Sequence, residues 1–237
     1  HEQESLIGMK ALARIGQLQT PPASATDLVF ETLYKAVVHL ELPPGSRVSE
    51  AEVAERLQVS RQPVRDAFFR LANRGFLSIR PQRATLITKI SAEEVLKAAF
   101  IRLALETACI KECVRNVTAA DIEALREQLV RQARIVHEQD SRAFHDSDEA
   151  FHAMLCDIAG HAGVWRIIQE QKGHMDRARF LSLSFNQEAA LSEHRALVDA
   201  LETRDEALTL DRLDSHLTKI RTHLPKIRQA HAQYFED

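Results

Sequence analysis

The sequence holds 237 residues, 45% of them hydrophobic, with only seven Gly and seven Pro, a composition that excludes wholesale disorder and favours helix. No apolar run approaches the roughly 20 residues that span a bilayer and no signal peptide is recognised, so no membrane association is expected and the chain reads as cytoplasmic. The formal net charge of −3 conceals a split: residues 25–90 carry ten Lys or Arg against seven Asp or Glu, whereas residues 91–237 carry a net −6. A small basic unit joined to a larger acidic one suggests two tasks, one of them on a polyanion.

Residues 1–24 show no clear periodicity, and Pro21 and Pro22 break any helix there, so a mobile lead-in is expected. A helix is predicted over residues 26 to about 40, with Leu28, Val29, Leu33, Ala36, Val37 and Leu40 on one side, ended by "LPPG". Ser49 and Glu52 then form an S-x-x-E capping box that starts a short helix ending near Leu57. Gln58 and Val59 make a turn, and Ser60 caps a second helix in which Pro63 is tolerated because it lies in the first turn. Gly75 stops that helix. Two short helices around a tight turn describe a helix-turn-helix.

The second helix exposes Arg61, Gln62 and Arg65 in its first turns, where a recognition helix meets base edges and phosphates, and leaves Phe68, Phe69, Leu71 and Ala72 for the core. "FLSIR" and "TLITK" alternate as strands around "PQRA", a hairpin with Arg80 and Arg83 near its tip. Together these elements predict a winged helix-turn-helix over residues 25–90. The bland alternative is a three-helix scaffold with a solvated basic face. Against it stands the charge of residues 61–89, where seven basic side chains accompany a single acidic one, Asp66.

The stretch "LPPGSRVSEAEVAERLQVSRQPVRDAFFRLANRGFLSIRPQRATLITKIS" resembles the DNA-binding domain of GntR-family bacterial transcription regulators. The most specific part is "VSRQPVRDAFFRLANRGFL". The resemblance implies that Arg61, Gln62 and Arg65 enter the major groove and that Arg83 at the wing tip reaches the minor groove. One position departs from the pattern: the family usually has Gly after the wing-tip Arg, and here Ala84 follows.

From a second capping box, Ser91 with Glu94, the pattern stays helical to the end. Helices are predicted over residues 92–115, 120–138, 142–159, about 162–184, 187–202 and 205–234, the last kinked at Pro225. The expected fold is mainly α, with the winged domain followed by an all-α antiparallel bundle over residues 91–237. Cys109, Cys113 and Cys156 are odd in number and suit a reducing compartment. Cys109 and Cys113, four apart, are two buried small residues or, alternatively, a metal or redox pair.

Several ligand-type residues fall on apolar stripes. Asp148 and His152, four apart in "SDEAFHAML", share a face with Phe144, Phe151 and Leu155. His194 lies with Leu191, Val198 and Leu201, and His216 with Leu213 and Ile220. A lone inward His is usually a hydrogen-bonded core residue, but four such residues on three helices point to a metal, because a buried charge needs a partner. Three imidazoles and a carboxylate suit a divalent transition metal, zinc first, with nickel and manganese as alternatives. His145, His161, His174 and His231 read as surface-facing or ambiguous. Arg102, one turn before Glu106, and Arg179 also fall inward. Either they pair internally, or they offer forked donors to a carboxylate.

"DEAFHAML", "EHRALVDAL" and "LDSHL" resemble the three ligand-bearing segments of the FadR-type C-terminal domain, or FCD domain, of the same family. The resemblance implies that Asp148, His152, His194 and His216 hold the metal and that the two arginines line an effector pocket. The leading expectation is a ligand-responsive repressor, a homodimer on a palindromic double-stranded DNA operator, with a small carboxylate as effector. Two alternatives stay open: a metal-dependent hydrolase or lyase with an accessory basic domain, and a constitutive architectural DNA binder with a structural metal.

Overall fold

The structure, a computed structural model, describes residues 24–80 and 83–237, and for Ser184 and Phe185 the backbone alone. The lead-in expected over residues 1–24 lies, but for Ser24, outside the described residues, as do Pro81 and Gln82 of the wing turn. Two compact units share the chain: one takes the residues up to Tyr34 and Arg47–Thr85, the other Lys35–Ser46 and Leu86–Asp237. The division falls inside the first helix, α1 (Ala25–Val38).

Ser24 and Asp27 cap α1 reciprocally: the Asp27 amide donates to Ser24 Oγ at 3.1 Å and the Ser24 amide to Asp27 Oδ2 at 3.2 Å. Val29, Phe30, Leu33 and Val37 are buried, but Leu28, expected on the same side, is 61% exposed. It sits round the helix from the centre of that stripe. α2 (Glu50–Leu57) starts at Ser49, whose Oγ accepts from the Ala51 amide at 3.2 Å, and stops at Gln58 with φ +54°. α3 (Arg61–Asn73) follows Ser60, which is extended but makes no side-chain cap bond, contrary to expectation. Gly75 ends α3 as expected, with φ +79° and its amide donating to Ala72 O at 2.9 Å. Val64, Ala67, Phe68 and Leu71 form the buried side of α3. Phe69 does not join them: it is 55% exposed, since its azimuth is that of the polar face.

The wing strands β2 (Leu77–Ser78) and β3 (Thr85–Ile87) are adjacent in a three-stranded sheet of order β1-β3-β2. The third member, β1 (Arg47–Val48), was not anticipated, because two residues carry no period for a sequence to show.

The larger unit is an all-α bundle of α4 (Ala92–Asn116), α5 (Ala119–Glu138), α6 (Ser141–Ile158), α7 (Ala162–Phe180), α8 (Leu183–Glu202) and α9 (Glu206–Ala230). Their starts are chemically marked. Ser91 accepts from the Glu94 amide, Thr118 and Asp121 complete a capping box, and Asp140 and Asp205 accept first-turn amides. Gly160, with φ +80°, follows α6. α9 continues through Pro225 as one helix, and a parallel bridge between Ile90 and Phe235 joins the two ends of the unit.

α6 lies at the centre, packed against α4, α5, α7 and α8. Phe151, Leu155 and Cys156 join Leu125, Leu129, Trp165, Ile168 and Val198 in the main core. On α7 Ile168 is buried, whereas its neighbour Ile167 is 49% exposed. Cys109, Cys113 and Cys156 are buried free thiols, and burial pushes Cys113 up to about 12, so the reading of plain core residues fits them. Among the described residues no helix is long and apolar enough to cross a membrane.

Candidate metal centre and nucleic-acid interface

The first turns of α3 present Arg61, Gln62 and Arg65 to solvent. Gln62 Nε2 donates to Asp66 Oδ1 at 2.9 Å, and Arg65 Nε lies 3.4 Å from Glu50 Oε2, an exposed pair that contributes little and releases easily. Arg83 is exposed next to the wing turn. Other basic residues of this unit serve its own packing: Arg70 binds Asp27 at 2.7 Å and stacks at 4.0 Å over the Phe30 ring.

In the bundle, α6 supplies Asp148 and His152, α8 supplies His194 and α9 supplies His216; one ligand atom from each falls within 4.8 Å of all the others. The separations inside the group are shorter still. His216 Nε2 is 3.3 Å from both His152 Nε2 and His194 Nε2, and Asp148 Oδ1 is 3.4 Å from His194 Nε2 and 3.9 Å from His152 Nε2. Ligands about 2.0–2.1 Å from a tetrahedral ion stand roughly 3.4 Å apart, so the set has the required size.

The outer nitrogens explain why all three Nε2 atoms face inward. His152 Nδ1 is 2.6 Å from Glu106 Oε2, His216 Nδ1 is 2.7 Å from Glu193 Oε2, and His194 Nδ1 is 2.9 Å from Gln132 Oε1. Each oxygen accepts a hydrogen bond from Nδ1–H, which leaves Nε2 with its lone pair free. Three lone pairs and the buried, unpartnered Asp148 Oδ1 therefore converge with no donor among them. A cation satisfies all four; water-free apposition satisfies none.

Electrostatics agree with that protonation state at His194 and His216. Burial, followed by the neighbouring imidazoles, holds His194 well below its ordinary value and brings His216 down to about 3. Burial opposes ionisation of Asp148, but Arg179, His152 and His194 outweigh it and hold the carboxyl well below the usual range. Arg179 Nη2 donates to Asp148 Oδ2 at 2.9 Å, leaving Oδ1 for the centre.

Arg102 and Arg179, the two inward arginines, are engaged but not exhausted. Arg102 Nε donates to Glu106 Oε1 at 2.5 Å, so the internal pair read from the sequence does form. Yet Arg102 Nη2 and Arg179 Nη1 are both buried without a hydrogen-bond partner. Both arginines line a cavity of about 660 Å³, open mouth included, together with His216, Ser182, Asn186 and Lys219. The cavity thus touches the candidate centre through His216 and is lined beside it by two arginines whose hydrogen-bonding capacity is incompletely used.

His145 corrects the sequence reading: it is 7% exposed, not surface-facing. Three residues before Asp148 on α6, it turns inward beside the ligand face and meets α7. Its Nδ1 is 3.7 Å from Asp146 Oδ1 and its Nε2 3.9 Å from Asp176 Oδ2. Burial works against its charge, but those carboxylates prevail and push it up to about 9. An imidazolium does not ligate metal, which sets this residue apart from the other three.

A folded value raised from 6.5 to about 9 makes a stabilising contribution on the order of 3 kcal/mol, fully present below pH 6.5 and lost as the pH rises through 9. Chelator-treated protein is expected to show a falling denaturation midpoint between pH 7 and 9.5, and His145→Gln a flatter profile. Equal slopes for the two proteins would remove this assignment.

Sequence reasoning missed three residues that orient the ligands. Gln132 had a usable signal, a polar residue one turn from Leu129 on a buried stripe. Glu106 was seen only as the partner of Arg102. Glu193 gave none, since it sits next to His194 at a half-exposed position.

Comparison with known proteins bears on the whole arrangement. Residues 25–87 match the family described as bacterial regulatory proteins, gntR family, and residues 97–219 match the FCD domain. The chain is 33% identical over 220 residues to the HTH-type transcriptional regulator YdfH of Escherichia coli O6:H1, covering 92% of this chain and 96% of that one. It is 32% identical over 219 residues to the HTH-type transcriptional repressor RspR of Escherichia coli K12, with the same coverage. Among solved structures, E. coli McbR/YncC has the same fold, with a TM-score of 0.75 at 20% identity over 89% of this chain and all of that one.

Proposed function

Since the chain belongs to the GntR family and couples that family's helix-turn-helix domain to an FCD domain, it is a DNA-binding bacterial transcription regulator and not an enzyme; from there we propose that it is a homodimeric, ligand-responsive repressor. In this reading residues 25–90 bind half of a palindromic operator through Arg61, Gln62, Arg65 and Arg83, and residues 91–237 hold the effector. Asp148, His152, His194 and His216 hold a divalent transition metal, with zinc the first choice for a His-rich set and nickel or manganese the alternatives. When bound, such an ion supplies a Lewis-acidic docking point for a carboxylate oxygen.

One observation carries the proposal. Three imidazole lone pairs and an unpartnered carboxylate oxygen converge beside a cavity that Arg102 and Arg179 also line, each with a guanidinium N–H that lacks a hydrogen-bond partner. A small carboxylate fits both features, through one oxygen at the centre and another in a guanidinium fork. The repressor sense follows the named role of the relative RspR. Calorimetry of the protein against a panel of sugar acids and dicarboxylates, with and without chelator, tests the site. A ligand that binds equally well to chelated protein and to Arg102→Ala and Arg179→Ala variants would refute it.

The DNA-binding half has its own test. Arg65→Ala is expected to weaken operator binding by about 1–3 kcal/mol, the worth of a base contact. Wild-type affinity should fall steeply with salt as Lys and Arg displace counterions. Arg126→Ala, in an exposed pair with Asp199 on the bundle, is expected to change neither. Equal losses at both positions in a mobility-shift titration would contradict the assignment.

A further inference from the structure

Phe69 lies on the wrong side of its helix for packing: it is 55% exposed, while Phe68 beside it is 1% exposed. A helix turns about 100° per residue, which sets Phe69 between Arg65 and Gln62 around the axis of α3. That is the face opposite Val64, Ala67, Phe68 and Leu71. At 1.5 Å per residue the ring stands about 6 Å beyond Arg65 along the axis, on the order of two base pairs of duplex rise. Single apolar residues on a surface are ordinary and need no reason. This one shares its face with the three side chains assigned to operator recognition, and on α3 it is the large apolar side chain left exposed.

We propose that Phe69 determines operator sequence by packing its ring on the C5-methyl group of a thymine in the major groove, next to the bases reached from Arg61, Gln62 and Arg65. The inference rests on α3 being the recognition helix. The major-groove edge of every base pair presents hydrogen-bond donors and acceptors, and its apolar group is the thymine methyl. A phenyl ring set against a guanine or cytosine edge strips those groups of water and returns no hydrogen bond. Set against a methyl, it removes two apolar surfaces from water at once. A phosphate offers it nothing, because the ring carries neither charge nor a donor. The ring therefore favours one base positively and disfavours the others by leaving them unsatisfied, a discrimination that an arginine at the same place would not make.

The test uses the full chain and a palindromic duplex that it selects from random-sequence DNA. Replacing thymines one at a time with deoxyuridine removes the methyl and nothing else. Wild-type protein is expected to lose affinity about four-fold, the worth of one buried methyl, at one thymine per half-site. Phe69→Ala should bind the parent duplex more weakly and be indifferent to that same replacement, whereas Phe69→Leu, which keeps apolar surface, should retain the sensitivity. Arg65→Ala should bind more weakly yet still sense the methyl. Circular dichroism checks that the exposed substitution leaves the fold unchanged. If no thymine is methyl-sensitive, or if every sensitivity survives in Phe69→Ala, the proposal is overturned, and a large Arg65→Ala loss leaves the recognition helix standing. If Arg65→Ala also loses nothing, both assignments fall together.

Discussion

His152→Ala and His194→Ala proteins are expected to emerge metal-free from a purification that yields wild type with about one divalent ion per chain. The physical ground is that neither ring has another use: each is fully buried, with its Nδ1 tied to Glu106 or Gln132 and its Nε2 pointed at the other ligands. His161→Ala, exposed ahead of α7, is the control and should keep its metal. His145 is unsuited as a control, being buried between two carboxylates. Glu106→Gln should retain the ion with affinity lower by about 10–100-fold, because it weakens the acceptor that fixes the His152 tautomer. At an ion concentration 100 times the Kd, wild type should gain about 2.7 kcal/mol of stability that the ligand variants do not. Elemental analysis and thermal denaturation with added zinc, nickel or manganese make the measurement. Folded wild type that takes up none of the three would defeat the site.

The second large effect joins the units. A bound carboxylate is expected to lower operator affinity by roughly 5–150-fold, the usual range of coupling of about 1–3 kcal/mol, and by reciprocity operator DNA should weaken carboxylate binding by the same factor. The effector can shift the protein only by as much as it prefers one of two states. Chelation should abolish the response while leaving effector-free DNA binding in place, since the centre and the recognition helix belong to separate units. Arg102→Ala and Arg179→Ala should each weaken the carboxylate by the worth of a charge-assisted hydrogen bond, about 1.5–3 kcal/mol. The metal content of both variants must be followed. Arg179 also holds Asp148, so its loss is expected to loosen the ion, whereas Arg102 is bonded to Glu106, the partner of His152. Mobility shifts across a carboxylate titration, with and without chelator, are decisive. An unchanged response after chelation would separate the metal from regulation.

How much of this was legible beforehand depended on the range over which each signal acts. Helix existence was readable nearly throughout, because periodicity and capping residues such as Ser91 and Gly160 are local. The four candidate ligands were readable for a related reason. A His or Asp on an apolar stripe contradicts its surroundings, and that contradiction shows in a single helix. The same logic placed Phe69 in the core and failed, because an aromatic residue beside another aromatic carries no mark of which one is turned away. It failed at His145 as well, where the width of the buried face depends on what α7 brings to it.

Charge, period and residue type are properties of neighbouring positions, and they suffice to read a basic winged head and a helical bundle with three imidazoles and a carboxylate turned inward. Which atoms meet is a matter of how the helices pack. Glu106, Gln132 and Glu193 come from three different helices to hold the imidazole tautomers, and Arg179 takes one oxygen of Asp148 and frees the other. Those pairings span 46, 62, 23 and 31 residues of sequence, and no local pattern encodes a partner at such a distance. They exist because helix packing brings the groups together where water is excluded, and there every buried donor and acceptor must find another.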